Sequence, residues 1–163
     1  MLPAYQDILV ATDFTPNSDH AFKHAIMLAR LHQAKIHLIH VVAQVDTSMR
    51  SYISAVMGQD KLEELEQSHE QEAHAILKKQ LHDFAEKELA EFPDDLKRFA
   101  GAEVFTGNPV ACILAEAERL NADVIVMGTH SKGALEHAFL GSVAEKVLQK
   151  STRPIFVIPL PKK

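Results

Sequence analysis

Asp13 follows the apolar run "DILVAT" and precedes a proline-led segment, so a carboxylate stands where a strand-like stretch gives way to a helical one. There it has three uses: it caps the following turn, accepts hydrogen bonds from a ribose or a base amino group, or faces a metal that bridges phosphates. Further along, Gly128 closes the run "DVIVMG", and Gly141-Ser142 opens a segment of helical period. The missing Cβ at Gly128 lets a ligand approach the backbone, or simply serves a strand-ending turn. At Gly141-Ser142 the N–H groups of a helix start, its dipole and a hydroxyl suit a phosphate, and the same pair is equally good as a helix cap with no ligand. Neither turn is specific by itself.

The remaining reactive side chains offer less. His20 and His24 are four apart, which brings two imidazoles to one helix face as metal ligation requires. No third ligand has diagnostic spacing, so a solvated or packing role is expected, and no metal ligand is assigned. Asp13 and His130 are the candidates for a base that activates water near a terminal phosphate. No dedicated catalyst is expected from them, only slow turnover at most. The lone cysteine, Cys112, lies on the apolar stripe of "PVACILAEAERL" with no basic partner beside it, which reads as a buried, inert thiol. One cysteine also excludes an intrachain disulfide and a cysteine zinc cluster.

Five runs rich in β-branched and aliphatic residues must position these groups: "DILVAT" (Asp7–Thr12), "KIHLIHVV" (Lys35–Val42), "AEVFT" (Ala102–Thr106), "DVIVMG" (Asp123–Gly128) and "PIFVIP" (Pro154–Pro159). Several are apolar on consecutive positions, as in parallel strands covered on both faces. Helical patterns lie between them. The segment after Asp13 places Ala21, Ala25, Leu28 and Ala29 at three-to-four spacing, "NPVACILAEAERLNA" offers Asn108 as N-cap with Pro109 behind it, and "GSVAEKVLQKS" aligns Val143, Val147 and Leu148. The alternation predicts an α/β fold with a doubly wound parallel sheet and right-handed crossovers. In the long connection Ala43–Phe92, a charged helix is expected from about Lys61, with a stripe that includes Leu62, Leu65, Ile76, Leu81 and Leu89. The stretch before it, 43–59, has weak periodicity and two readings, a mobile lid or a dimer contact.

At 163 residues, a single domain spanning 1–163 is expected. The net charge of −5 opposes a broad hold on nucleic acid or anionic membrane, while leaving room for a local phosphate pocket. No run approaches membrane-spanning length, and "MLPAYQDILV" lacks the pattern of a secretory leader, so the expected location is cytoplasmic.

Taken together, the segment "MGTHSKGALEHAFLGSVAEKV" resembles the nucleotide-binding segment of the universal stress protein family. In that family's ATP-binding branch a glycine is followed, after two residues, by a second glycine and, after nine more, by glycine with serine or threonine. Gly128 and Gly141-Ser142 match the first and last positions, and Ser131 replaces the second glycine. A side chain there crowds a nucleotide or adds a hydroxyl donor, with Lys132 beside it as a cation. "ILVATDF", "HLIHVV", "GNP", "ADVIVMGTH" and "RPIFVIP" extend the likeness over nearly the whole chain. The resemblance implies a Rossmann-like sheet of the adenine nucleotide alpha hydrolase type, with strand order 3-2-1-4-5. It also implies a nucleotide-dependent stress or regulatory module that binds ATP or a related adenine nucleotide, with magnesium as a possible companion, and a homodimer formed through the C-terminal edge strand. Carried over residue by residue, Thr12 and Asp13 meet the adenosine end and the Val41 backbone pairs with the base edge. Met127, Gly128 and His130 line the fourth-strand side, and Ser131, Gly141, Ser142 and Val143 hold phosphates. The alternative is a dimeric protein-interaction module of the same fold without a nucleotide.

Overall fold

The computed structural model describes residues 1–44, 47–129 and 140–160. Five strands, β1 (Asp7–Ala11), β2 (Lys35–Val42), β3 (Phe99–Thr106), β4 (Val124–Gly128) and β5 (Ile155–Ile158), form one sheet in the order β3-β2-β1-β4-β5. Every neighbouring pair is parallel, so each connection must cross over the sheet, and helices supply the crossovers. They are α1 (Pro16–His32), α2 (Thr47–Met57), α3 (Gln59–Leu89), the short α4 (Pro93–Leu96), α5 (Pro109–Arg119) and α6 (Ser142–Lys150). Fold class and strand order agree with the expectation from the sequence.

The consecutive apolar residues of β1 follow from the layering. Ile8 and Val10 pack with Phe22 and Ile26 of α1 and with Leu81 and Leu89 of α3. Leu9, between them, points the other way and joins Ile113 of α5 and Val147 of α6. Ile8, Leu9 and Val10 are all 0% exposed, and burial of each such side chain is worth about 1.5–3 kcal/mol. Leu9→Asp would place an unpaired carboxylate in this layer and break it. With α1 and α3 on one face and α5 and α6 on the other, the winding reverses between β1 and β4, which makes their carboxyl ends the switch point of the sheet.

Local sequence sets the helix ends. The Thr15 side chain accepts the Ser18 N–H and Pro16 follows at the first helical position, where its missing donor costs nothing. α1 stops at Gln33, which turns left-handed at φ 56°. α5 starts as anticipated: Asn108 Oδ1 accepts from Ala111 N at 3.0 Å, with Pro109 next.

Four elements differ from their sequence-based outlines. β3 begins at Phe99 rather than Ala102, because the pairing shifts from Ile36–Phe99 to His37–Gly101 and leaves Ala100 as an extra residue in a bulge, with Gly101 at φ 147°. The stretch 47–57 is a regular helix, α2, that buries none of its residues and is fastened to α3 by two 2.8 Å bonds from Arg50 to Glu66. On α3 the buried face is Leu62, Leu81, Ala85 and Leu89, while Ile76 is 59% exposed. In α6, Val147 is buried with Ala144, and Leu148 falls one position round the helix into solvent.

Candidate functional site

A cavity of about 520 Å³ opens over the carboxyl ends of β1, β2 and β4, a size ordinary for a small-molecule site. The β1 end is a hydrogen-bonded knot. Thr12, 7% exposed, donates its hydroxyl to Ser18 Oγ at 2.8 Å and accepts from the Phe14 N–H at 3.1 Å. Ser18 Oγ in turn donates to the Thr15 carbonyl at 2.9 Å. Asp13 Oδ1 accepts from both the backbone N–H (3.1 Å) and the hydroxyl of Thr15. Thr15, not Asp13, is therefore the N-cap of α1, and the carboxylate fixes the turn in front of it. Phe14 at the centre is left-handed at φ 62°, a conformation that costs a residue with a side chain about 1–2 kcal/mol and that these bonds maintain.

His40 of β2 completes this side. Its Nδ1 lies 2.8 Å from the Thr12 carbonyl, and because a carbonyl only accepts, Nδ1 carries the proton. The ring stands edge-on to Phe14 with centroids 4.7 Å apart. The sequence reading did not single out His40, which differs from the other histidines only in its place near the end of a strand. Val41, half-buried and paired with Phe105 of β3, lines the cavity beside it.

At the β4 end, Met127 and Gly128 also line the cavity. An ideal Cβ on Gly128 would lie 2.6 Å from Asn17 Oδ1 and 2.7 Å from its Cγ, so the glycine makes room for a side chain of α1. Asn17 is 3% exposed, its Nδ2 donates to the Ile158 carbonyl at 3.0 Å and its Oδ1 accepts from the Thr129 hydroxyl at 3.2 Å. It ties the first turn of α1 to the ends of β4 and β5. Sequence reasoning missed Asn17 because an asparagine just inside a helix start reads as capping chemistry, while its partners lie 112 and 141 positions away.

Gly141 is the N-cap of α6, in extended conformation and with no side-chain cap. Its N–H donates to the Thr129 carbonyl at 2.6 Å, which closes the loop between β4 and α6 at its base. The N–H groups at the start of α6 are then those of Ser142, Val143 and Ala144, which have no intrahelical acceptor. Gly141, Val143 and Ala144 line the cavity. Ser142 is the first helical residue rather than the cap, and it is exposed and not among the described lining residues. His130 and Ser131 lie outside the described residues.

Asp13 and His40 are the titratable side chains of the described lining, which contains no lysine or arginine. The rest is mainly apolar, with Ile39, Val41 and Ile113 as its floor. Among the described residues, no group of three or more His, Cys, Asp or Glu side chains could hold a metal ion. Cys112 is a packing residue: burial pushes its thiol pKa up, and its sulfur would lie 3.3 Å from a Cβ at Gly107. A second cavity of about 630 Å³ lies between α2 and α3, and Val42 and Ala43 belong to both walls. There His74 Nε2 meets Thr106 Oγ1 at 2.7 Å.

Comparison with known proteins gives concordant results. The model of the universal stress protein family matches residues 4–159. Universal stress protein MJ0531 of Methanocaldococcus jannaschii is 34% identical over 159 residues, covering 98% of this chain and 85% of the relative. Universal stress protein MJ0577 of the same organism is 30% identical over 157 residues, 94% of each chain. The solved structure of MJ0577 superposes with a TM-score of 0.73 at 27% identity, covering 99% of this chain and 100% of that one. A universal stress protein solved in complex with cAMP shares the fold at a TM-score of 0.56 and 19% identity, covering 96% of this chain and 98% of that one. No helix among the described residues is long and apolar enough to cross a membrane.

Proposed function

The chain belongs to the universal stress protein family, and from that premise we propose that it binds ATP or a related adenine nucleotide at the carboxyl ends of β1 and β4. The observation that carries this reading is the juxtaposition across one cavity of the Asp13 turn and the start of α6, which has no side-chain cap. The base lies over the apolar floor and takes its edge contacts from the Val41 backbone. Thr12 and Asp13 meet the ribose. Met127 and Gly128, at the end of β4, line that side of the nucleotide, and the family resemblance assigns His130 to it as well. The phosphates run toward Gly141, Ser142 and Val143, where backbone N–H groups and the positive end of the helix offset their charge, and Ser131 is assigned to them by the family resemblance alone. Because the described lining holds no lysine or arginine, a magnesium ion would supply the remaining neutralisation.

We assign the site to binding rather than to dedicated catalysis. Slow hydrolysis is the most expected of it: Asp13 Oδ1 is engaged by Thr15 and His40 Nδ1 by Thr12, bonds that brace the β1 turn. Occupancy then acts by biasing the shape or partner affinity of a cytoplasmic homodimer formed along the edge strand β5, where Phe156 is 37% exposed. The alternative function, an interaction module without nucleotide, draws on α2, whose Met49, Tyr52 and Val56 are 54%, 69% and 69% exposed.

Thermal unfolding with ATP and magnesium separates the two. Saturation at a hundred times the dissociation constant adds about 2.7 kcal/mol of stability. Gly141→Val, which puts a branched side chain into the cavity wall, should fold and lose that gain. An unchanged melting temperature at millimolar ATP, together with no nucleotide absorbance near 260 nm released on denaturation, would overturn the proposal.

A further inference from the structure

His20 and His24 sit one turn apart on α1, outside the cavity, and their Nε2 atoms approach to 3.3 Å with the rings at 85°. We propose that this pair is a two-point chelating site for a borderline divalent transition metal such as Zn²⁺, Ni²⁺ or Cu²⁺. Two nitrogens bound to one tetrahedral zinc at about 2.0–2.1 Å stand roughly 3.3–3.4 Å apart, so the helix already holds the donors at the span a metal demands. Imidazole suits these metals over magnesium or calcium, which take oxygen ligands.

The surroundings permit entry. His24 is exposed and His20 half-buried, so the ion arrives from solvent and keeps water in its remaining positions. The neighbouring cation Lys23 is directed to Glu88 of α3, 3.9 Å away. Between two neutral rings the 3.3 Å contact is a hydrogen bond when one Nε2 carries the hydrogen and the other accepts it. On chelation that hydrogen moves to Nδ1, both Nε2 lone pairs face the metal, and no proton is lost from a neutral pair. Since α1 also carries Asn17 and Ser18 into the nucleotide cavity region, the metal would stiffen the helix on which that region is built.

The test is calorimetric titration of the untagged full-length protein with ZnCl₂, and separately with NiCl₂, in a non-chelating buffer. One ion per chain is expected, with at least a tenfold loss of affinity in His24→Ala and in His20→Gln, the latter retaining bulk at the half-buried position. Circular dichroism melts of both variants report folding, and the exposed His24 site keeps the test open if His20→Gln is unstable. Absence of saturable binding in the wild type would overturn the proposal. Affinity undiminished in folded His24→Ala would do the same, placing the ion on other histidines.

Discussion

The amide of Asn17 occupies the volume that a side chain on Gly128 would need, with Oδ1 2.6 Å from an ideal Cβ. A glycine at a strand tip near a candidate nucleotide site is easily credited to the ligand. Here the protein itself requires it. Gly128→Ala must displace a 3% exposed side chain that holds Ile158 and Thr129. A loss of about 1–3 kcal/mol in urea unfolding is expected without any ligand. Because Asn17→Ala removes the obstacle, the double variant should be less destabilised than the sum of the singles. Additivity of the two changes would show that the contact does not set the requirement for glycine.

Asp13→Ala removes the acceptor of two Thr15 bonds that brace the left-handed Phe14. A loss of about 0.5–2 kcal/mol is expected in the nucleotide-free protein, the size usual for a lost capping side chain. Adenine nucleotide affinity should also fall, and by more than Asp13→Asn produces, since the amide keeps an acceptor for Thr15. Titration calorimetry and urea melts on both variants check this. Equal affinity in all three proteins would remove Asp13 from the binding surface and leave it only the turn.

Asp19 gives a pH signature. Burial, and then the facing Glu88 carboxylate, raise its pKa above the ordinary 3.8, with Lys23 pulling the other way and Asp13 adding a smaller rise. A carboxyl with a raised folded pKa contributes stability that is fully present below its unfolded value and is lost as pH climbs through the folded one. Asp19→Asn carries no such dependence. Its stability relative to the wild type should therefore improve as pH rises from about 4 toward neutrality. Urea midpoints measured at steps across that range test the direction, and a relative decline would contradict it.

The sheet was legible in the sequence because β1 and β4 are buried on both faces and so appear as unbroken apolar runs. Asn108-Pro109 announced α5 for an equally local reason. β3 was read short because the bulge at Ala100 and the glycine beside it break the pattern that identifies a strand. α2 escaped because its apolar side chains face solvent or a cavity, and periodicity speaks only where one face is buried. At the site, Thr12, Asp13, Val41, Met127, Gly128, Gly141 and Val143 do gather around one cavity. Asn17 and His40 stayed hidden, since their meaning lies in partners brought close by the crossovers and not in their neighbours along the chain.

α2 buries no side chain, yet it walls the larger of the two cavities. Peeling it from α3 breaks the Arg50–Glu66 guanidinium–carboxylate clasp and the bond from the Ser54 hydroxyl to Gln59 Oε1. Among the described helices α2 alone has no buried residue, so local opening there costs less than opening any helix packed on the sheet.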